Sequence, residues 1–157
     1  MATSRVPATI DYLVSLFTSA ATLGQATPPV AVYDGPVVTQ APAQLILFVG
    51  MDDPDTEDAP TSATGAQTWA GLGKQAKNED ITVNCVAEAW GGDTDIKQIR
   101  DAAYGIVAAA ENLLRADVML GGVFLFGGIP GTVLRQNQTT SGAVARVTFP
   151  VEGQARI

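Results

Sequence analysis

The sequence predicts an α+β domain in which a mixed, mainly antiparallel sheet carries an N-terminal helix and one long central helix. Three observations predict this class. The segment 79–90 alternates in the manner of a strand, and the segment 96–113 repeats apolar residues at helical spacing. The predicted elements do not alternate regularly between strand and helix, which disfavours a parallel doubly wound sheet. The length of 157 residues fits a single domain spanning 1–157.

The first predicted element is a helix that begins near Pro7 and ends at Gly24, since proline favours a first helical turn and glycine a helix end. Its apolar residues recur at helical spacing: Ile10, Leu13, Val14, Phe17, Ala20 and Ala21. Two short strands follow, around Val30–Tyr33 and Val37–Thr39, with an Asp-Gly turn between them. The continuous apolar run Gln44–Gly50 is typical of a strand buried on both faces.

An exposed acidic loop is predicted over 51–66. It carries closely spaced carboxylates: Asp52, Asp53, Asp55, Glu57 and Asp58. Their alternation imitates the start of an EF-hand calcium loop. However, the sixth position holds Asp58 instead of glycine, and the twelfth holds Thr64 instead of glutamate. We therefore predict no metal site and interpret these carboxylates as a candidate contact for a partner protein.

The central strand is predicted at Glu79–Trp90. One face is apolar and belongs to the core: Ile81, Val83, Cys85, Ala87 and Ala89. The other face is mixed: Thr82, Asn84, Val86, Glu88 and Trp90. A shorter strand is predicted to begin at Gln67–Trp69. The alternation along Glu79–Trp90 thus predicts a central strand with one buried side and one side of mixed character.

The long helix is predicted to begin at a cap formed by Asp93 or Thr94 and to end near Ala116. Its apolar residues repeat with spacings of three and four: Ile96, Ile99, Ala103, Ile106, Ala110 and Leu113. Glu111 and Arg115 are spaced to form an ion pair one turn apart. Three final strands are predicted at Val118–Phe126, Thr132–Gln138 and Ala143–Pro150.

The apolar band of this helix is broader than packing on one sheet requires, because Ala102–Ala110 contains no charge. One interpretation is a contact between subunits, for which the candidate residues are Tyr104, Val107, Ala108 and Trp90. The alternative is that alanine simply fills positions without any partner.

The composition leads to the same two interpretations. Charged residues make up 16% of the chain, against about 25% in typical soluble domains. Neighbouring subunits that cover much of the surface would explain this deficit, and so would an alanine- and glycine-rich composition. The net charge of −7 argues against a nucleic-acid-binding protein, whose affinity depends on lysine and arginine.

Enzymatic chemistry finds little support. Histidine is absent, which removes the commonest general base and metal ligand. Cys85 is the only cysteine and falls on a core face. Gly71–Ala76 matches a Gly-x-Gly-x-x-Ala fingerprint, but a strand follows where a dinucleotide site needs a helix. We predict no enzyme, no cofactor and no metal.

Membrane insertion and secretion are also disfavoured. The uncharged run Val118–Leu134 contains several glycines and Pro130, which suit a strand and turns better than a spanning helix. The residues after Met1 lack the apolar core of a signal peptide. We expect synthesis in a cytoplasm.

Four segments together resemble the tail terminator family of long-tailed, siphovirus-type bacteriophages, which includes the lambda tail terminator. They are the helix TIDYLVSLFTSA, the strand and acidic loop LILFVGMDD, the strand-to-helix unit that begins DITVNCVAEAWGG and continues to LLRAD, and the closing strand VTFPVEGQARI. The likeness covers nearly the whole chain and is one of layout, because the family has no short signature motif.

The resemblance implies a structural virion protein made in the host cytoplasm. Such proteins form a hexameric ring that caps the tail tube, ends its polymerisation and offers the surface to which the head is joined. The implied partners are other copies of the chain, the tail tube protein and a neck or head-completion protein, and DNA passes through without specific binding. One alternative is another neck, head-completion or tail-tube component of a phage. A less favoured alternative is a small ligand-binding or enzymatic domain.

Overall fold

The computed structural model describes residues 3–37, 43–53, 59–71, 75–92 and 95–157. Within these residues there are two α-helices, α1 (Val6–Ser19) and α2 (Ile96–Ala116). The strands are β1 (Ala31–Asp34), β2 (Leu45–Val49), β3 (Ala63–Trp69), β4 (Lys77–Gly91), β5 (Phe126–Gly128), β6 (Val133–Thr139) and β7 (Gly142–Arg156). Neither helix is both long and apolar enough to cross a membrane.

The sheet is built on the long antiparallel pair β4–β7, which is continuous from Asn78↔Arg156 to Gly91↔Ala143. Outside β4 lie β3, beside its first half, and β2, beside its second half, with β1 parallel to β2 at the edge. Outside β7 lie β6 and β5. All pairs except β1–β2 are antiparallel, so the predicted α+β class with a mixed, mainly antiparallel sheet is confirmed.

Both central strands change their outer neighbour at the row Asn84↔Pro150. The backbone N–H of Asn84 donates to Ser62 O, and its carbonyl accepts from Gly50 N–H, so its polar groups point away from β7. In an antiparallel ladder the backbone of the paired Pro150 must then also point away from its partner strand, β4. It does so between the ends of β6 and β5, where no described strand needs its missing N–H. For this reason β7 continues through Pro150 to Arg156, beyond the predicted end.

Both helices cover one face of the sheet. There they bury the predicted apolar face of β4, together with alternate residues of β7 such as Val147 and Phe149 and the α1 residues Leu13 and Phe17. β2 contributes to both faces: Leu47 and Val49 pack under the helices, whereas Ile46 and Phe48 join a smaller apolar cluster on the other face. The prediction that this strand is buried on both faces is confirmed. We call the face without helices the open face.

The start of α2 differs from the prediction by one or two residues. Asp95 is the N-cap, and its Oδ1 accepts a hydrogen bond of 3.2 Å from Gln98 N–H. The predicted caps, residues 93 and 94, lie outside the described residues. The predicted pair Glu111–Arg115 is confirmed, with Arg115 Nη2 2.7 Å from Glu111 Oε1.

The predicted strand Val118–Phe126 is wrong. Leu120–Gly122 form a short 3-10 helix in which all three residues have positive φ, a conformation that cannot continue an extended strand. The turn is closed by a hydrogen bond of 2.9 Å from Phe124 N–H to Met119 O. Only Phe126–Gly128 pair with β7.

The acidic loop is shorter than predicted, because residues 63–66 already belong to β3 and Met51 is buried in the small cluster on the open face. Gln67–Trp69 end this strand instead of beginning one. Val37 lies outside the strands, and residues 38 and 39 of the second predicted strand fall outside the described part of the chain.

Candidate functional site

Two of the predicted loop carboxylates, Asp52 and Asp53, line a cleft on the open face beside β6 and β7. Asp53 Oδ2 lies 3.5 Å from Arg135 Nη1. These two side chains line two clefts of about 380 Å³ and 350 Å³, and both clefts are also lined by Thr148. Arg146, at the larger cleft, donates from Nε to Glu88 Oε2 over 2.6 Å. The clefts therefore contain guanidinium groups that are held by carboxylates.

The base of the acidic loop is tied to its own chain. Thr61 N–H donates to Asp52 Oδ1 over 3.0 Å, and Gly50 N–H and Met51 N–H both donate to Asn84 O. Asp52 and Asp53 are half-buried. Asp55, Glu57 and Asp58 lie outside the described residues, so their predicted contact with a partner stays a prediction.

The clefts offer ion pairs and amides, and neither of their arginines can act as a general base because a guanidinium stays protonated. In the described part of the chain, no three His, Cys, Asp or Glu side chains come close enough together to hold a metal ion. Burial raises the pKa of the Cys85 thiol to about 12, so this thiol is not a nucleophile at neutral pH.

The fingerprint Gly71–Ala76 connects two antiparallel strands. Ala70 N–H donates to Ala76 O over 3.0 Å, and β4 begins at the next residue. A dinucleotide site would require a helix at this point. The segment therefore lies between two strands, as predicted, and its residues 72–74 lie outside the described part of the chain.

The residues predicted to form a subunit interface do not share one surface. Tyr104 and Ala108 are exposed on the outer side of α2, where the Tyr104 hydroxyl lies 3.3 Å from Thr132 Oγ1. Trp90 instead donates from Nε1 to Ala43 O over 2.6 Å and lines an apolar cleft of about 390 Å³. Val107 is a correction: it is 4% exposed and packs in the chain's own core, so it is not available to a partner.

A more prominent apolar surface was missed by the sequence interpretation. Val118, Met119, Leu125 and Phe126 are exposed on the two sides of the turn around the 3-10 helix, and we call these four residues the turn patch. At the opposite edge of the sheet, Trp69 is exposed at the end of β3, with Lys77 Nζ 4.9 Å from its ring centroid. The uncharged run Val118–Leu134 was the available signal, but it was interpreted as a buried strand.

One carboxylate is buried for a structural reason. Glu79 is 1% exposed and accepts hydrogen bonds of 2.6 Å from both Ser4 Oγ and Arg5 N–H. Gln67 Nε2 adds a third at 3.1 Å. Burial by itself raises the pKa of Glu79, but these hydrogen bonds outweigh it and hold the pKa below its ordinary value of 4.5. Glu79 thus fixes the start of α1 to the β3–β4 pair.

A second polar contact fixes α1 to the turn after α2. The Tyr12 hydroxyl donates to Asp117 Oδ2 over 2.8 Å, and Gly121 N–H donates to the same oxygen over 2.7 Å. The hydrogen bond to Asp117, followed by burial, raises the pKa of Tyr12 above its ordinary value. The same bond lowers the pKa of Asp117. This contact holds the turn patch in place beside α1.

Comparison with known proteins does not assign the chain to a family. No protein-family model matches the sequence, and no curated protein matches it either.

Proposed function

We propose that the chain is a structural virion protein of a long-tailed bacteriophage, one subunit of a hexameric ring that caps the tail tube, ends its polymerisation and provides the surface for head joining. The proposal begins from the resemblance in layout to the tail terminator family. It treats the molecule as a building block and assigns no catalytic role to any of its residues.

The observation that supports it most strongly is the exposed apolar surface. Trp69 is 68% exposed and Phe126 is 60% exposed, on opposite edges of the same sheet. Monomeric proteins seldom leave clustered large apolar side chains in water, and such clusters mark contacts with other proteins. The turn patch at one edge and Trp69 at the other give the chain two different surfaces. A head-to-tail contact needs two such surfaces, and head-to-tail contacts close into rings when the rotation permits.

The charge of the chain fits the same role. A net charge of −7 with 16% charged residues leaves long uncharged surfaces for neighbouring subunits. It also gives the assembly a negative field that repels DNA phosphates. DNA would then slide through such a ring without binding to it.

Native mass spectrometry and multi-angle light scattering test the proposal over a range of protein concentrations, with and without purified tail tubes. We expect one closed assembly of six chains, formed either by the protein alone or on tube ends. An open series of lengths would instead indicate a tube subunit. A chain that remains monomeric under every condition would contradict the proposal.

The acidic loop is assigned to joining rather than to ring formation. Its base is held by Asp52 and Asn84, so removal of residues 54–58 spares the described contacts. We expect this deletion to leave the number of subunits in the assembly unchanged and to weaken the attachment of the assembly to tails in a co-sedimentation assay. Unchanged attachment would refute the role given to the loop.

A further inference from the structure

The two exposed edges lie at the same level of the sheet. One row of paired residues crosses the half of the sheet that contains β3, β4, β7 and β5: Ala66↔Asp80, Asp80↔Gln154 and Gln154↔Phe126. The row that contains Thr64 runs in the same way through Thr82 and Glu152 to Gly128. If two copies stand side by side without a shift along the strands, Phe126 of one copy therefore lies beside Ala66 of the next.

The strand directions also match. β3 and β5 are antiparallel to β4 and β7 respectively, and these two are antiparallel to each other, so β3 and β5 run in opposite directions. If copies are related by a rotation about an axis parallel to the strands, the direction of each strand is preserved. β3 of one copy then lies against β5 of the next as an antiparallel pair. The sheet would then continue from one copy to the next with the same polarity that it has inside each copy.

Neither edge carries the protection that natural edge strands usually have. Ala63–Trp69 contains no charge and no proline, and the turn patch and β5 fall in the uncharged run Val118–Leu134. Ser62 O and Ala70 N–H both face β4, so the alternation of the ladder turns the backbone of Gly65 and Gln67 outward. Outward N–H and C=O groups on an uncharged edge favour pairing with another strand.

We propose that the β3 edge of one copy packs against β5 and the turn patch of the next copy, with Phe126 set beside Ala66 and Gly128 beside Thr64. This contact rests on the proposed function and specifies how the ring is joined. The partner is a second copy of the chain, because the two edges match each other in level, direction and lack of charge. Trp69 and Phe126 are the most exposed large apolar side chains at the two edges.

Disulfide trapping tests the register. The variant with both Thr64→Cys and Gly128→Cys places two cysteines opposite each other across the proposed contact, at a separation of about 5 Å between Cα atoms. A Cβ at Gly128 meets no atom within 4 Å, and Cys85 is buried, so the substitutions spare the fold and add no competing thiol. After mild oxidation of the assembled protein we expect a ladder of cross-linked chains that ends at the ring size.

The matched control pairs Thr68→Cys with Gly128→Cys. Thr68 lies four residues along the same strand, which displaces its thiol by about 13 Å and prevents a bond. Equal cross-linking in both variants would overturn the proposed register. Dimers formed by Thr64→Cys alone would indicate that β3 pairs with its own copy across a two-fold axis, and would overturn the contact.

Substitution of the apolar side chains tests the energetics. We expect Phe126→Glu and Trp69→Ala each to raise the concentration needed for assembly at least tenfold, while circular dichroism and the urea midpoint show a folded chain. If both substituted chains still form the ring and the Thr64→Cys, Gly128→Cys chain does not cross-link, this contact is overturned and the proposed function stands. A wild-type chain that forms only open polymers, with cross-links in the double-cysteine variant, would support the contact and contradict the ring. A protein that neither assembles nor cross-links in that variant would contradict both.

Discussion

Replacement of Glu79 by glutamine tests whether this buried carboxylate fixes the start of α1. The side chain is 1% exposed and receives hydrogen bonds from Ser4, Arg5 and Gln67. Glutamine keeps one acceptor oxygen but loses the charge, and it turns an amide toward groups that need an acceptor. Hydrogen bonds to a charged group contribute about 1.5–3 kcal/mol and neutral ones about 1 kcal/mol, so we expect Glu79→Gln to lower the free energy of unfolding by about 1–2 kcal/mol.

The assay is urea unfolding followed by circular dichroism at pH 7, with Glu152→Gln as the matched control. Glu152 lies exposed on the neighbouring central strand, and a substitution at such a site changes the free energy of unfolding by no more than about 0.5 kcal/mol. If the unfolding midpoints of the two variants agree, the reasoning that burial makes Glu79 important is refuted.

The pH dependence gives a second, independent check. The folded-state pKa of Glu79 lies below its ordinary value of 4.5, so the folded chain binds fewer protons than the unfolded chain in this range. The stability that Glu79 contributes is therefore complete above the unfolded-state pKa and is lost as the pH falls through the folded-state pKa. The difference between wild type and Glu79→Gln should shrink as the pH drops below about 4.5, and a difference that stays constant there would contradict the lowered pKa.

Three further outcomes follow from single sites. Cys85, with its pKa raised to about 12, should resist thiol reagents in the native protein and react at once in urea; rapid labelling without denaturant would contradict its burial. The Tyr12 phenol should ionise above its ordinary pKa of 10.0 in an ultraviolet titration, and this late step should vanish in Tyr12→Phe. Gly142→Ala should lower the free energy of unfolding by about 2–3 kcal/mol, because φ is +135° and a Cβ would stand 2.2 Å from Gly91 O, whereas the control Gly128→Ala should change it little; equal midpoints would refute the strain.

The parts of the fold that the sequence predicts are those determined by local periodicity. The alternation along β4 and the spacing along α2 each correspond to a buried face, and both predictions are confirmed. The predicted strand Ala143–Pro150 is shorter than β7, which passes through Pro150 and continues to Arg156. The position of Pro150 between the ends of β6 and β5 depends on strand pairing that no local pattern contains.

The candidate surfaces depend even more on distant residues. Val107 belongs to an apolar band, and only the packing of α2 on the sheet places it inward while Tyr104 stays exposed. The sequence predicts a buried strand that ends at Phe126, because an uncharged run has the same composition in a core and at an interface. The turn at Leu120–Gly122, which exposes Phe126, requires positive φ at successive residues, and composition does not specify that.

The two ion pairs Glu111–Arg115 and Glu88–Arg146 show the same distinction in energetic terms. The first was predicted from its spacing, and its arginine and glutamate side chains are 73% and 37% exposed, so a double-mutant cycle with alanine should give a coupling of about 0.3–0.5 kcal/mol. The second joins residues far apart in sequence, and its side chains are 13% and 25% exposed. Less solvent screening should raise its coupling to about 1–2 kcal/mol. Equal coupling energies in urea unfolding would mean that the open face at β4 and β7 is as accessible to water as the outer side of α2.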